Sequence, residues 1–460
     1  MTIWIPELQQ RRGPRYLAIA EALQADIAAG RLAPGSRLPT HRALAYRLGV
    51  TVGTVSRAYL EAERRGLIDG QVGRGTFVRA RGLSTAFAIP LETGGAIDLS
   101  LNRPVVEPAV PELAATLAQL SRRNDLAPFL AYQSELGLPS HREAGAAWLA
   151  RLGVEATPER IVITCGAQHG LFAALGATCR AGDTVLVEAL TYPAVKMMAS
   201  QLSLQLQAIA MDEAGLLPEA LEAAARKGRG RVLFTMPTLH NPTTATLSEA
   251  RRHAVIEIAR RFDLLLIEDD IYGFLLATPQ QPLVNLAPER SFHVTSISKS
   301  MAAGLRLGYV VAPAEMVGRV GAVVRSSSWM APPLTCEIAS QWINDQTSDR
   351  LVRARREQAR TRQEIAARKL AGHRIDTHPE SFHLWLHLPE PWRWSDFVAA
   401  AQSRGVLVTP PDLFVTGRAT APHAVRLCLS AEPSDARLEA GLTTLSELLS
   451  SPPELRLNVV

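Results

Sequence analysis

The chain has 460 residues, 47% hydrophobic and 20% charged, so it is too long for one ordinary domain and apolar enough to bury real cores. Its net charge of +5 is unevenly spread: residues 1–80 hold 12 Arg, no Lys and 6 acidic residues, a net of +6, and the other 380 residues sum to about −1. This excludes broad disorder, and no apolar run approaches the roughly 18 residues of a membrane span.

The four cysteines, Cys165, Cys179, Cys336 and Cys428, have neither CxxC nor metal-ligand spacing, so they read as reduced thiols and no metal site is expected. The start, Met1 to Glu7, lacks a signal-peptide pattern, which makes the expected location cytoplasmic. A basic end on a near-neutral body points to a polyanion partner for that end. Arginine without lysine favours forked contacts to phosphate or guanine. An arginine-biased composition throughout the chain would give the same preference.

Tyr16, Ile19, Ala20, Leu23 and Ile27 recur at helical spacing, and Gly30 closes that helix. Thr40 caps a second helix, Arg42 to Leu48, ended by Gly49. Thr51 opens a third, with Val52, Val55, Tyr59 and Leu60 on its apolar face and Thr51, Thr54, Ser56 and Arg57 on the other. Leu67-Ile68 and Thr76-Phe77-Val78 flank a glycine turn, a small two-stranded wing with Arg74 at its tip. This is a helix-turn-helix pattern.

The runs Gly35 to Ala45, Gly49 to Tyr59 and Gly73 to Val78 resemble the GntR-type winged helix over roughly residues 14–80. The resemblance implies an α+β DNA-binding domain at 1–80. Arg42, Thr51, Thr54 and Arg57 would meet phosphates or base edges of double-stranded DNA, and Arg37, Arg74 and Gly75 the flanking backbone or minor groove. His41 replaces a more usual small or acidic residue, and its role stays open. Residues 81–96 have no periodicity and end in a Gly pair, as an interdomain tether does.

From about residue 110 helical patterns alternate with short apolar strands, predicting an α/β sheet with ligands at the strands' carboxyl ends. Ile161 to Thr164 leads to Gly166-Ala167-Gln168, whose backbone N–H groups at a helix start suit a phosphate. Val185 to Glu188 leads to Tyr192, which would stack on a planar group or plug the core. Arg231 to Thr235 leads to Asn241-Pro242, and Leu264 to Ile267 runs into Glu268-Asp269-Asp270-Ile271-Tyr272. Three acids ending a buried strand need something cationic. Phe292 to Ile297 ends in Ser296-Ile297-Ser298-Lys299-Ser300, followed by Arg306. Alone, Ser298-Lys299-Ser300 reads as a solvated turn. Together these strand ends supply the parts that a pyridine-ring aldehyde phosphate needs: carboxylate, phenol donors, aromatic face, phosphate cradle and imine-forming lysine.

Residues 97–460 resemble a fold-type I aminotransferase, a largely parallel α/β domain with a smaller α+β C-terminal subdomain from about 331. The resemblance implies pyridoxal 5'-phosphate on Lys299, Asp269 at the ring nitrogen, Tyr272 and Asn241 at the phenolic oxygen, and Tyr192 on the ring. Gly166, Ala167, Gln168, Ser296, Ser298 and Arg306 would hold the phosphate. Arg426 would clamp an amino acid carboxylate, and Tyr132 would reach the partner's phosphate in a head-to-tail homodimer. The chain departs from that pattern at Thr244, where Asn-Pro-Thr-Gly is common, at Ala189-Leu190 before Tyr192, and at Gln133-Ser134-Glu135 after Tyr132.

The whole arrangement is similar to the MocR/GabR-type transcription regulators. That resemblance implies an operator-binding regulator sensing an amine or amino acid effector through the Lys299 aldimine. An active aminotransferase with an attached DNA-binding domain is the alternative.

Overall fold

A computed structural model describes residues 4–6, 14–28, 32, 36–64, 67–71, 75–78, 95–228, 230–417 and 420–451. Arg74, Gly30 and the tether up to 94 lie outside the described residues. The chain forms two compact units, Met1–Pro90 and Leu91–Val460.

The first unit has helices Arg15–Ala28, His41–Leu48 and Val52–Arg64, then strands Ile68–Gln71 and Gly75–Val78. Local chemistry sets these boundaries. Thr40 Oγ1 accepts the Ala43 N–H at 3.2 Å, Gly49 ends its helix at φ +62°, and Thr51 Oγ1 accepts the Thr54 N–H at 3.2 Å. The two strands pair antiparallel, Ile68 opposite Val78. Residues 36–38 lie along the hairpin, with Leu38 N–H on the Thr76 carbonyl and Val78 N–H on the Ser36 carbonyl. Ile19, Leu23, Leu38, Leu44, Val55 and Tyr59 fill the core.

The expected apolar face of the third helix needs correcting. Val52 is 44% and Leu60 67% exposed, whereas Ala58 and Ala62 are buried beside Val55 and Tyr59. Positions 55, 58, 59 and 62 follow the helical repeat; 60 lies off that stripe, and 52 is the helix's first residue, at its exposed end.

The second unit is built on a seven-stranded sheet. Its spatial order is Ile161–Thr164, Gly308–Val311, Ser291–Ser296, Leu265–Asp269, Gly230–Thr235, Thr184–Glu188 and Gln205–Ile209. All neighbours are parallel except Gly308–Val311, which runs antiparallel to both of its own. Helices cover both faces, so the central strands are apolar without alternation. Close cover depends on a glycine: a Cβ on Gly170, in helix Ala167–Thr178, would meet Val294 and Val310 methyls at 2.9 Å.

A smaller antiparallel sheet, Ile375–Asp376, His383–His387 and Ala424–Cys428, packs under helices Trp394–Ser403 and Asp435–Ser450. The two cores divide later than residue 331. Cys336, Ile338, Trp342 and Leu351 belong to the large core, and the second begins at Ile365. Helix Thr347–Lys369 spans 23 residues and supplies both, so the division falls inside it. The small core also takes Leu99 from the start of the unit, through parallel pairing of Ile97–Asp98 with Val406–Leu407.

Candidate functional site

Parallel strands bring Thr164, Glu188, Thr235, Asp269 and Ser296 to one sheet edge, and the turns after them form the site. The pleat sorts the acid trio onto opposite faces. Glu268 lies 3.5 Å from Arg252 Nη1 and 3.1 Å from His293 Nδ1, and accepts the Leu283 N–H at 3.0 Å. Asp270 accepts the Gly273 N–H at 2.8 Å and lies 4.0 Å from His293 Nε2. So two of the three acids have structural partners, Arg252 among them. Asp269, 1% exposed, has none on either oxygen. Burial, then the Asp270 carboxylate, push it up to about 8.

Lys299 sits in the turn after strand Ser291–Ser296, held by the Met301 N–H on the Ile297 carbonyl at 2.8 Å. Its Nζ donates to the Asn102 carbonyl. Burial, with the Arg426 and Arg306 charges behind it, lowers the amine from its ordinary 10.5 to about 8. Near neutral pH, part of it is therefore an unprotonated nucleophile.

Arg426 donates from Nη1 to Asn241 Oδ1 at 2.8 Å and from Nη2 to the Ser100 carbonyl at 2.6 Å and Thr409 Oγ1 at 3.1 Å. Its Nε is buried without a partner, and the guanidinium lies 5.0 Å over the Phe414 ring. Tyr272 is buried and accepts from Asn102 Nδ2 at 2.8 Å. Its ring tilts against His383, 5.3 Å between centroids. His383 Nε2 faces the His240 carbonyl at 3.0 Å, so that nitrogen carries the proton and Nδ1 is the acceptor. Burial, then the Arg426 charge, hold His383 neutral, near 3.

Gly166, at φ +85°, is the residue before helix Ala167–Thr178. A Cβ there would meet Arg306 Nη2 at 2.6 Å, so only glycine allows this approach. Arg306 donates to the Cys165 carbonyl at 3.2 Å and to Ser298 Oγ at 3.5 Å. Gly166, Ala167, Arg306 and Ser298 thus surround one helix start, with Gln168 in its first turn; Ser296 is buried at the adjoining strand end. Tyr192 is half-buried against the large core, and burial followed by the Asp269 charge raise its phenol to about 12. Tyr132 is not gathered in: it is 80% exposed and its ring tilts against Trp329, 5.2 Å between centroids. Thr244 holds φ +64°, a left-handed conformation strained for a β-branched residue and natural for the glycine common there.

Sequence reasoning missed Ser100, Asn102, Thr409 and His383, which reach the site from far along the chain. Asn102 was visible only as a polar residue after a short strand, with no spacing to mark it.

In the first unit Arg37, Arg42, Thr51 and Arg57 are exposed and Thr54 is half-buried. Arg37 packs on Gly75, where a Cβ would meet its Nε at 2.9 Å. His41 bonds Ser56 Oγ at 3.0 Å and meets Tyr59 edge-on, tying the second helix to the third. Arg57 makes no ion pair among the described residues. Arg57→Ala is expected to weaken binding to a cognate duplex roughly tenfold with the fold intact, as titration by fluorescence anisotropy would report.

The aminotransferase class I and II family matches residues 95–445, and the gntR family of bacterial regulatory proteins matches 15–78. The chain is 31% identical over 447 residues to the uncharacterized HTH-type transcriptional regulator YdeF of Bacillus subtilis, covering 97% of this chain and 96% of that protein. It is 29% identical to the vitamin B6 salvage pathway transcriptional repressor PtsJ of Salmonella typhimurium, covering 90% of this chain and 93% of the other. An archaeal alanine:glyoxylate aminotransferase structure superposes with TM-score 0.73 and 25% identity over 85% of this chain and 99% of its own. The fold and site therefore define a GntR-type winged helix joined to a fold-type I aminotransferase-like domain, whose family implies pyridoxal phosphate. The chain belongs to the MocR/GabR-type branch of the transcription regulators.

No helix among the described residues is long and apolar enough to cross a membrane. Nor do the described residues contain three or more His, Cys, Asp or Glu grouped to hold a metal ion.

Proposed function

We propose that this regulator holds pyridoxal 5'-phosphate on Lys299 and senses an amine or amino acid there, changing how its winged helix engages operator DNA in the cytoplasm. The observation that carries the reading is Asp269: a buried carboxylate with both oxygens unpartnered, at the strand edge where a lysine amine lies half-buried. Such a group needs a cationic N–H, and a protonated pyridine ring supplies one. When bound, pyridoxal phosphate supplies a carbonyl carbon open to primary amines and a ring that withdraws electrons.

The chain's own groups do the rest. Lys299 is the attachment point, Asp269 fixes the ring proton, and Tyr272 and Asn241 donate toward the phenolic oxygen. Tyr192 covers the ring. Gly166, Ala167, Gln168, Ser296, Ser298 and Arg306 receive the phosphate at a helix start. Arg426, whose partners are neutral oxygens, is free to exchange them for an effector carboxylate. Exposed Leu130, Tyr132 and Trp329 fit the reading that a second copy covers this face, head to tail. On the DNA side, Arg42, Thr51, Thr54 and Arg57 meet phosphates or base edges, with Arg37, Arg74 and Gly75 on the flanking backbone or minor groove.

The decisive experiment mixes the cofactor-loaded chain with a panel of amines and amino acids, following absorbance, keto-acid release and operator affinity together. Spectral change with altered affinity and no turnover is the expected result. Repeated turnover with constant affinity would identify a working aminotransferase instead.

Asp269 also gives a signed pH prediction. Its folded value, about 8, lies above the ordinary 3.8, so the folded state holds the extra proton and loses stability as pH rises from 3.8 to 8. In the cofactor-free protein, Asp269→Asn should remove that loss, seen as a flatter Tm against pH. The same change should weaken pyridoxal phosphate roughly tenfold, the worth of one charge-assisted bond. An unchanged pH profile would count against the burial of this carboxylate.

A further inference from the structure

One short segment receives hydrogen bonds from both cations that face the effector. Arg426 Nη2 donates to the Ser100 carbonyl at 2.6 Å, and Lys299 Nζ donates to the Asn102 carbonyl. The Ser100 carbonyl also accepts from Thr409 Oγ1 at 2.7 Å and from Cys428 Sγ at 3.6 Å. The Asn102 side chain donates to Tyr272 and accepts from Ser430 Oγ at 2.8 Å. Its backbone and side chain thus touch the attachment lysine and the phenol at once.

The same segment is zipped to the small subdomain by its amides. Ile97 N–H bonds the Gly405 carbonyl at 2.8 Å and Leu99 N–H the Leu407 carbonyl at 2.9 Å. Asp98 N–H bonds Glu432 Oε1 at 2.6 Å, and Asp98 Oδ1 accepts the Ser100 N–H at 2.9 Å. At its upstream end Arg437 clasps it, donating to Glu432 Oε2 at 2.6 Å and to the Gly95 and Ala96 carbonyls at 3.3 and 3.1 Å. Gly95 and Ala96 are the last two residues of the tether read from the sequence, which joins this segment to the DNA-binding unit.

We propose that residues 95–102 are a strap that reports the state of the cofactor site to the tether, with Ser100 and Asn102 as its contacts. The proposal rests on the sensor reading above. A carboxylate arriving at Arg426 competes with the Ser100 carbonyl for the same guanidinium N–H groups, and an acid–base pair outcompetes a neutral carbonyl. A Lys299 nitrogen engaged elsewhere likewise leaves the Asn102 carbonyl without its donor. Each exchange weakens the site's hold on one strap, the Lys299 exchange when the cofactor is attached and the Arg426 exchange when an effector carboxylate arrives, and no covalent change in the strap is needed. The strap then keeps its amide bonds, the Thr409 bond to the Ser100 carbonyl and the Asn102 side-chain bonds but loses both cations, and its upstream end continues directly into the tether. A ligand that binds the two strap states differently shifts their populations and so shifts DNA affinity.

The test uses the full chain and a duplex selected from a random library by the wild-type protein. Arg426→Met removes the guanidinium from Ser100, and Arg437→Ala opens the clasp at the other end without touching the cofactor site. Hydrogen exchange at amides 97–100 and the Kd for the duplex are measured in both, with cofactor absorbance as a third readout. Each variant is expected to speed that exchange and to shift the Kd at least about fivefold, the lower range of measured couplings. Arg437→Ala should keep the wild-type absorbance on adding pyridoxal phosphate. A loosened strap with unchanged Kd, or unchanged exchange in both variants, overturns the strap and leaves the sensor reading standing. If Arg426→Met does not fold, Arg437→Ala decides alone. A wild-type chain that takes up no pyridoxal phosphate overturns both.

Discussion

Lys299→Ala is expected to abolish the near-visible absorbance that develops when pyridoxal phosphate is added, while the protein stays folded. The two halves have different physical origins. The absorbance requires a nitrogen at this position, and the only hydrogen bond the amine makes among the described residues is to the Asn102 carbonyl. The fold, in contrast, gains nothing from the charge: burial lowers the amine from 10.5 to about 8, which means the protonated form is disfavoured where it sits. The sign follows directly. With the folded value below the unfolded one, the unfolded chain binds the extra proton between pH 8 and 10.5, and wild-type stability rises across that window. Below pH 8 the full burial cost is present. The alanine variant should therefore equal or exceed wild type in urea unfolding at pH 7, and the gap should close toward pH 10. An absorbance band retained in the variant would remove Lys299 from the site.

Arg252→Met should be the most destabilising single change near the site, by about 3–5 kcal/mol, because it leaves a buried carboxylate short of its cation. Arg252 is 1% exposed and donates to the carbonyls of Leu247, Gln281 and Pro237 and to Thr238 Oγ1, besides facing Glu268. It therefore fixes the Pro237–Thr238 turn that leads to Asn241 as well as neutralising the strand below Asp269. Among the described residues, His293 would remain as the only basic partner of Glu268. Burial alone would lower that imidazole, but its bond to Glu268 and the nearby carboxylates raise it overall. Glu268→Gln in the same background should recover part of the loss, since the uncompensated charge is then gone. Urea unfolding of the two single variants and the double one measures this coupling; a fully additive cycle would mean that the pair does not interact.

Much of the chain was legible because it depends on local rules. Apolar strand runs stop at residues that cannot continue them, and those stops were readable as Gly166, Asn241, Asp269 and Lys299. Thr40 and Thr51 announced two helix starts by their side-chain chemistry. The reading failed where exposure depends on what packs opposite. Val52 and Leu60 are apolar, yet both are exposed: Leu60 lies off the stripe the helix buries, and Val52 stands at the helix's first position. Glu268, Asp269 and Asp270 looked like one acidic group, and their roles separated only when Arg252 and His293 arrived from neighbouring elements.

By itself, the sequence determined the two kinds of unit, the basic winged helix, and the side chains that the strand ends carry to one sheet edge, because composition, periodicity and strand ends are properties of neighbouring residues. Tertiary structure decided the rest. Whether a charged group is costly or neutralised depends on partners far along the chain: Asp269 is the unpartnered acid, and Ser100 and Asn102 meet Arg426 and Lys299 across more than 190 residues. No spacing rule reaches that far, since such contacts are set by how the small subdomain folds back over the sheet edge.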